Sequence, residues 1–270
     1  MLASVHIYPL KGCRAIGLDE AAVEPWGLAG DRRWLLVDSD CRFVSQREHP
    51  ALARVDVTYG EGAAIVASSD GYPTVRVAVP GESPEFLKVT VWGSTVQAAA
   101  AGSGADTWFS DYLGEKVRLV YLDDPTRRAV DPDYGADGDV VSFADGYPLL
   151  LTSTGSLDQL NEWLAAGGDQ PVPMNRFRPN VVVTGYEPWA EDRWRRIRIG
   201  SVSFRVVKPC GRCVVTTTDQ ATGVRGSQPL RILAARRRFG KNLVFGQNII
   251  PDSPGLIRVG DPVEVTEHLP

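Results

Sequence analysis

Glycine and proline recur throughout this chain, 27 and 19 of them in 270 residues, and between them lie short runs rich in β-branched and aromatic residues. Short runs closed off so often suit barrels or sandwiches rather than alternating strand-helix units. Strands are expected at Arg33–Asp38, Arg54–Tyr59, Thr74–Val79, Leu87–Trp92, Val117–Leu122 and Val181–Thr184. Further ones are expected at Ser203–Val207, Cys213–Thr218 and Val263–Thr266. Ala98–Ala101 is a small-residue run too short to count as low complexity.

Three helical patterns interrupt the strands. One begins at Ser156, which has capping-box spacing to Gln159 and is followed by an apolar face of Leu157, Leu160, Trp163 and Leu164 before Gly167 and Gly168. Another runs from about Asp106 to Leu113, and a third from Pro229 to Gly240. The expected fold class is therefore mainly β, built of β-barrel domains with a few helices, α+β by content. The stretch between Leu122 and Phe143 is dense in Asp, Pro and Gly and reads as a linker. It divides the chain into expected units 1–125 and 126–270.

Hydrophobic residues make up 43% and charged residues 23%, the balance of a folded globular chain. A net charge of −4 gives no global reason to seek a nucleic-acid polymer or an anionic membrane. The Arg236-Arg237-Arg238 cluster is the local exception, either the solvated end of a helix or a docking patch for an acidic partner. The N-terminus lacks the pattern of a secretory leader, and no window approaches 18 apolar residues, so the expected setting is cytoplasmic, without a membrane.

Chemistry is best sought at Val206-Val-Lys-Pro-Cys-Gly-Arg-Cys-Val-Val-Thr-Thr-Thr-Asp219, where Cys210 and Cys213 sit beside Lys208 and Arg212. Positive neighbours favour the thiolate, the nucleophilic and metal-binding form of cysteine; the alternative is a structural thiol in a strand. The other cysteines, Cys13 and Cys41, and the three histidines show no zinc-ligand spacing. A dithiol of thioredoxin type wants a strand-helix setting, and an iron-sulfur cluster wants cysteines grouped otherwise. No G-x-S-x-G, Walker or G-x-G-x-x-G sequence is present.

Several segments together resemble the MOSC family of molybdenum-cofactor-binding proteins, in the two-domain form related to the mitochondrial amidoxime-reducing component and its bacterial relatives. They are Tyr8-Pro-Leu-Lys-Gly-Cys13, Gly30-Asp-Arg-Arg-Trp-Leu-Leu-Val37, Asn175-Arg-Phe-Arg-Pro-Asn-Val-Val-Val183, Lys208-Pro-Cys-Gly-Arg-Cys213 with Thr216-Thr-Thr-Asp219, Phe245-Gly-Gln-Asn248 and Val259-Gly-Asp-Pro-Val263. The resemblance implies that Cys213 gives its thiolate to the metal, with Arg212 beside it, while Cys210 is structural or supporting.

It also implies that the cofactor, molybdopterin with its molybdenum, lies between two β-barrel domains. Lys11, Gly12, Arg32, Ser153, Thr154, Ser156, Arg178, Asn180, Arg212, Thr217 and Asp219 would hold it. Animal relatives carry serine where this chain has Gly12, so backbone N–H groups are expected to replace a hydroxyl there. The implied activity is reduction of a small-molecule N-hydroxylated substrate such as an amidoxime, hydroxylamine or N-oxide. The chain ends without the ferredoxin domain fused in many bacterial relatives. An external electron-transfer protein, a ferredoxin, a flavoprotein or a cytochrome b5-like protein, is therefore expected. The rival expectations are a cofactor or sulfur carrier without turnover and a zinc or dithiol protein without a pterin.

Overall fold

The computed structural model describes residues 1–269, Ala63 by its backbone alone, so Pro270 at the end of the second expected unit lies outside it. The largest sheet has nine strands. Eight follow the order Val263–His268, Trp194–Ile199, Val202–Gly211, Asn242–Pro251, Leu149–Ser153, Val181–Val183, Leu2–Ile7 and Ile16–Leu18, and Arg238–Phe239 pairs separately with Asn242–Pro251. Its one parallel pair is Leu149–Ser153 with Val181–Val183. A parallel neighbour needs a crossover connection, which here is helical.

Helix α1 (Ser103–Leu113) belongs to the N-terminal half, and α2 (Thr154–Ala166) makes the crossover between the two parallel strands. In the N-terminal half, strands Trp34–Val37, Arg118–Tyr121, Ser94–Ala100 and Phe86–Val91 form one sheet, and Asp56–Tyr59, Ile65–Ser69 and Tyr72–Val77 form a meander. Trp108 and Phe109 of α1 bury against Leu10, Trp34, Leu36 and Leu119. Each such large side chain, fully removed from water, contributes about 1.5–3 kcal/mol. The fold is mostly β, with α3 (Leu230–Arg236) the last of three α-helices among the described residues. No helix of the described residues is long and apolar enough to cross a membrane.

Two stretches of the first 28 residues leave the rest of the N-terminal half. Leu2–Ile7 joins the nine-stranded sheet beside Val181–Val183, and Glu20–Glu24 pairs with Gly255–Arg258. Tyr8 through Gly12 therefore leave the end of strand Leu2–Ile7 and enter the other half, where the Lys11 N–H donates to the Trp34 carbonyl, which brings the two halves together along one seam.

Several local expectations are overturned. Cys213–Thr218 is no strand: Val214–Thr217 is a 3₁₀ turn, in which the Thr216 and Thr217 hydroxyls donate back to the Cys213 and Val214 carbonyls at 2.9 and 2.8 Å. Local hydroxyl-to-backbone bonds compete with a ladder, and here they outweigh β-branched propensity. Helix α2 starts at Thr154, and no Ser156–Gln159 capping box forms, because the Ser156 hydroxyl donates to Glu191 at 2.6 Å. Helix α3 stops at Arg236 rather than running to Gly240, and Arg237 turns inward onto Asp192. Ala98–Ala100 end the strand Ser94–Ala100, with Ala98 and Ala99 both buried.

Candidate functional site

The long strand Val202–Gly211 carries Cys210 to its end, and the chain then bends through Arg212 into the 3₁₀ turn, so that Cys210 and Cys213 face one cleft. The two sulfurs have separate cationic neighbours. Arg212 donates to the Cys210 sulfur at 2.9 Å and to the Phe177 carbonyl, while its Nε is buried without a hydrogen-bond partner. Arg47, from the N-terminal half, reaches the Cys213 sulfur at 3.4 Å. The expectation that Arg212 accompanies Cys213 is thus corrected, since its guanidinium turns back along the strand toward Phe177. Lys208 is drawn away as well, its ammonium lying 3.9 Å from the Tyr134 ring centre.

The floor of the cleft is built around Tyr8. Arg32 and Arg178 lie over its ring at 4.4 and 4.2 Å, and its hydroxyl donates to the Pro179 carbonyl at 3.1 Å. Asp31, fully buried, accepts from Arg32 at 2.5 Å and from the Tyr8 backbone N–H at 2.8 Å. Asn180 Oδ1 accepts from Arg32 and from the Leu150 N–H, and its Nδ2 donates to the His6 carbonyl. Arg32 and Arg178 have φ of 48° and 54°, a left-handed backbone that side-chain-bearing residues adopt at a cost and that clusters at functional sites. Burial pushes the Tyr8 phenol up to about 12, and burial followed by the like charge of Arg32 lowers Arg178.

Lys11 comes from the seam segment. Its ammonium donates to Asp145 at 2.5 Å and to the Phe143 carbonyl at 2.8 Å. Burial lowers it to about 8 in spite of Asp145. For Asp145, desolvation opposes ionisation but is outweighed by Lys11 and by the Trp92 indole, which donates at 3.2 Å, so its carboxyl sits below the usual range. Buried Arg128 donates to the Ser142, Ala144 and Asp145 carbonyls and fixes this loop. Gly12 has φ of 92°, a conformation that would strain a serine, and its carbonyl accepts from Gln46.

Of the residues expected to serve the cofactor, Lys11, Gly12, Arg32, Arg178, Asn180, Arg212 and Cys213 line this one cleft. Ser153, Thr154, Ser156, Thr217 and Asp219 do not. The start of α2 is closed by residues 184–191: Thr154 bonds Thr184, Gly155 packs against the Tyr186 carbonyl, and Ser156 bonds Glu191. Thr217 is buried in its turn, and Asp219 pairs with Arg176 at 3.0 Å while accepting from the Ala221 and Thr222 N–H groups. Sequence reasoning passed over Arg47, Trp92, Asp145, Tyr8 and Asp31.

Five cations, Lys11, Arg32, Arg47, Arg178 and Arg212, line the cleft against one carboxylate, Asp145. Such a surplus in a partly desolvated space attracts anions, and guanidinium groups suit phosphate oxygens. Among the described residues no three His, Cys, Asp or Glu side chains converge as metal ligands. The chain thus offers a metal here its two thiols and requires the remaining ligands from elsewhere.

Residues 1–116 match the model of the MOSC N-terminal beta barrel domain, and residues 138–264 match that of the MOSC domain. Over 283 residues the chain is 32% identical to mitochondrial amidoxime-reducing component 1 of Homo sapiens, which covers 97% of this chain and 82% of that protein. It is 31% identical to the component 1 of Xenopus laevis, over 97% of this chain and 81% of that protein. Mitochondrial amidoxime reducing component 2 of Homo sapiens is 31% identical, with 97% and 82% covered. Two matching family domains in this order, with relatives above 30% identity over 97% of the chain, make this chain a member of the molybdenum-cofactor-binding MOSC family, in the branch that includes the amidoxime-reducing components.

Proposed function

We propose that this protein is a molybdenum-cofactor-dependent oxidoreductase that reduces N-hydroxylated small molecules with electrons from a separate redox protein. The observation that carries the reading is the meeting, in one cleft, of a free thiol at Cys213 with five cations drawn from both halves of the chain. A metal that brings its own sulfur ligands needs one more thiolate from the protein, and a pterin phosphate needs positive charge. The unpartnered Nε of Arg212 at the cleft wall is a donor left over for such a group. The residues fit the cofactor on both counts.

In this proposal Cys213 holds the metal, and Arg32, Arg178, Arg212, Asn180, Lys11 and the Gly12 backbone hold the pterin and its phosphate. When bound, the group supplies two-electron oxygen-atom chemistry, so that R–NHOH, two electrons and two protons give R–NH2 and water. Tyr8 and Asp31 keep Arg32 in place before any ligand arrives, which lowers the ordering cost of binding. Lys11 and Asp145 set the charge at the mouth, where substrate enters. The division into units 1–125 and 126–270, with the cofactor between them, belongs to the same proposal.

Protein made in a host that synthesises the cofactor should carry close to one molybdenum per chain by elemental analysis. Once chemically reduced, it should consume an N-hydroxylated amidine. The Cys213→Ala variant should lose that consumption by at least a hundredfold, because the metal loses its only protein ligand. A wild type that retains molybdenum and turns over none of these compounds would be a carrier, and zinc in place of molybdenum would contradict both readings.

A further inference from the structure

Among the described residues Arg47 is the only cation of the cleft that bonds the Cys213 sulfur, and like Arg178 its side chain makes a single hydrogen bond. Arg32 is committed to Asp31 and Asn180, Lys11 to Asp145 and Phe143, Arg178 to Gln220, and Arg212 to Cys210 and Phe177. The Arg47 side chain makes a single hydrogen bond, the 3.4 Å contact to the Cys213 sulfur, and no ion pair among the described residues. A guanidinium has five N–H donors in a planar fork, so most of its capacity is unspent at the point where the reacting metal would be anchored.

Its position is nonetheless built. The Arg47 N–H donates to the Ser45 hydroxyl, and the Gln46 and Arg47 carbonyls both accept from Arg225, which ties this loop of the N-terminal half to the C-terminal half. Trp92 lies under the guanidinium at 4.2 Å. The indole is set in turn by its bond to Asp145 and by the Phe43 ring at 5.0 Å, and the Trp92 backbone takes the left-handed conformation, φ 56°, in a two-residue hairpin loop. A cation on the face of tryptophan gains electrostatic stabilisation and loses freedom to swing. Neither residue belongs to the segments that carry the family resemblance.

We infer that Arg47 is the specificity-determining residue that receives the oxygen of an N-hydroxylated or N-oxide substrate at the Cys213 end of the cleft, and that Trp92 positions it. The inference rests on the reductase reading. Hydroxamate, amidoxime and N-oxide oxygens are all strong acceptors, and a bidentate donor held beside the anchored metal would aim that oxygen at it while discriminating against parent amines and amidines, which lack it. The selection is exerted on the bound substrate, so the effect belongs in KM.

Two measurements test this. In cofactor-free full-length protein carrying Cys210→Ser, the rates of alkylation of Cys213 by iodoacetate and by neutral iodoacetamide are compared by mass spectrometry of the peptide. Arg47→Gln should lower the ratio of the two rates about tenfold, Arg47→Lys should keep most of it, and Trp92→Ala should fall between. In molybdenum-loaded protein reduced chemically, Arg47→Gln should raise KM for N-hydroxylated benzamidine about tenfold or more while kcat changes less than threefold. An unmoved alkylation ratio, or an unmoved KM in an active enzyme, overturns the inference. If Arg47→Gln does not fold, Trp92→Ala reads the same two quantities. A wild type that keeps its molybdenum and reduces no N-hydroxylated compound defeats the reductase reading and the substrate assignment with it, whereas an active wild type with an indifferent Arg47→Gln defeats the inference alone.

Discussion

The floor and the mouth of the cleft are both cationic, yet they are held by different means. At the floor, Arg32 is bonded to buried Asp31 and Asn180, Arg178 and Arg32 both lie over the Tyr8 ring, and the two arginines keep a left-handed backbone there. At the mouth, Lys11 reaches a carboxylate that is largely exposed, and Arg47 rests on a half-exposed indole with most of its donors free. The floor is therefore a preformed anion seat whose integrity is tied to folding. The mouth is an adjustable rim whose changes should alter what binds without unfolding the chain.

The largest effect that would break this contrast is on stability at the floor. Asp31→Ala leaves Arg32 buried without its counter-charge, and removing one partner of a buried pair costs about 3–5 kcal/mol. Denaturant unfolding should register that loss, and a cost under about 1 kcal/mol would mean the floor is not the rigid element described.

A smaller effect belongs to Lys11 and has a defined sign. Its folded value, about 8, lies below its ordinary 10.5, so between these two values the unfolded chain binds more protons than the folded one. Stability carried by this group should therefore rise as pH increases from about 8 to 10.5, by up to about 3 kcal/mol for the full shift. Tyr8 and Cys13, pushed upward by burial, oppose this in the same range, so the quantity to measure is the difference between wild type and Lys11→Met across pH 7 to 10.5. A difference independent of pH would contradict the burial of a charged Lys11. Smallest of all should be the unfolding cost of Trp92→Ala at the half-exposed rim, about 1 kcal/mol or less, despite its effect on Arg47.

Much of the cleft was legible in the sequence because these residues sit in the segments that carry the family resemblance: Lys11, Gly12, Arg32, Arg178 and Asn180 all reach it. The Arg47 side of the mouth was not. Arg47 sits in the polar string Ser45-Gln-Arg-Glu-His49, which has no periodicity and reads as loop surface. Trp92 closes the expected strand Leu87–Trp92, a position that reads as strand rather than as part of a two-residue hairpin loop. That reading says nothing of the Asp145 that Trp92 meets 53 positions later.

The errors have physical causes too. Ser153, Thr154 and Ser156, expected from the resemblance to hold the cofactor, lie at the start of α2, where free N–H groups would suit an anion, but residues 184–191 fold over that start. The Val214–Thr217 turn was read as strand because β-branched residues favour strands, and its own hydroxyls bend it instead. In both places a contact set by tertiary structure or by a side-chain hydrogen bond overrides a local preference that was correctly identified.

The assignment of Cys213 rather than Cys210 as the metal's protein ligand underlies the whole account. X-ray absorption at the molybdenum edge, on loaded wild type and on Cys213→Ser and Cys210→Ser proteins, tests it directly. The account expects one sulfur scatterer to disappear from the metal in Cys213→Ser and the sulfur count to stay unchanged in Cys210→Ser. An unchanged count in Cys213→Ser, or a sulfur lost only in Cys210→Ser, would contradict it.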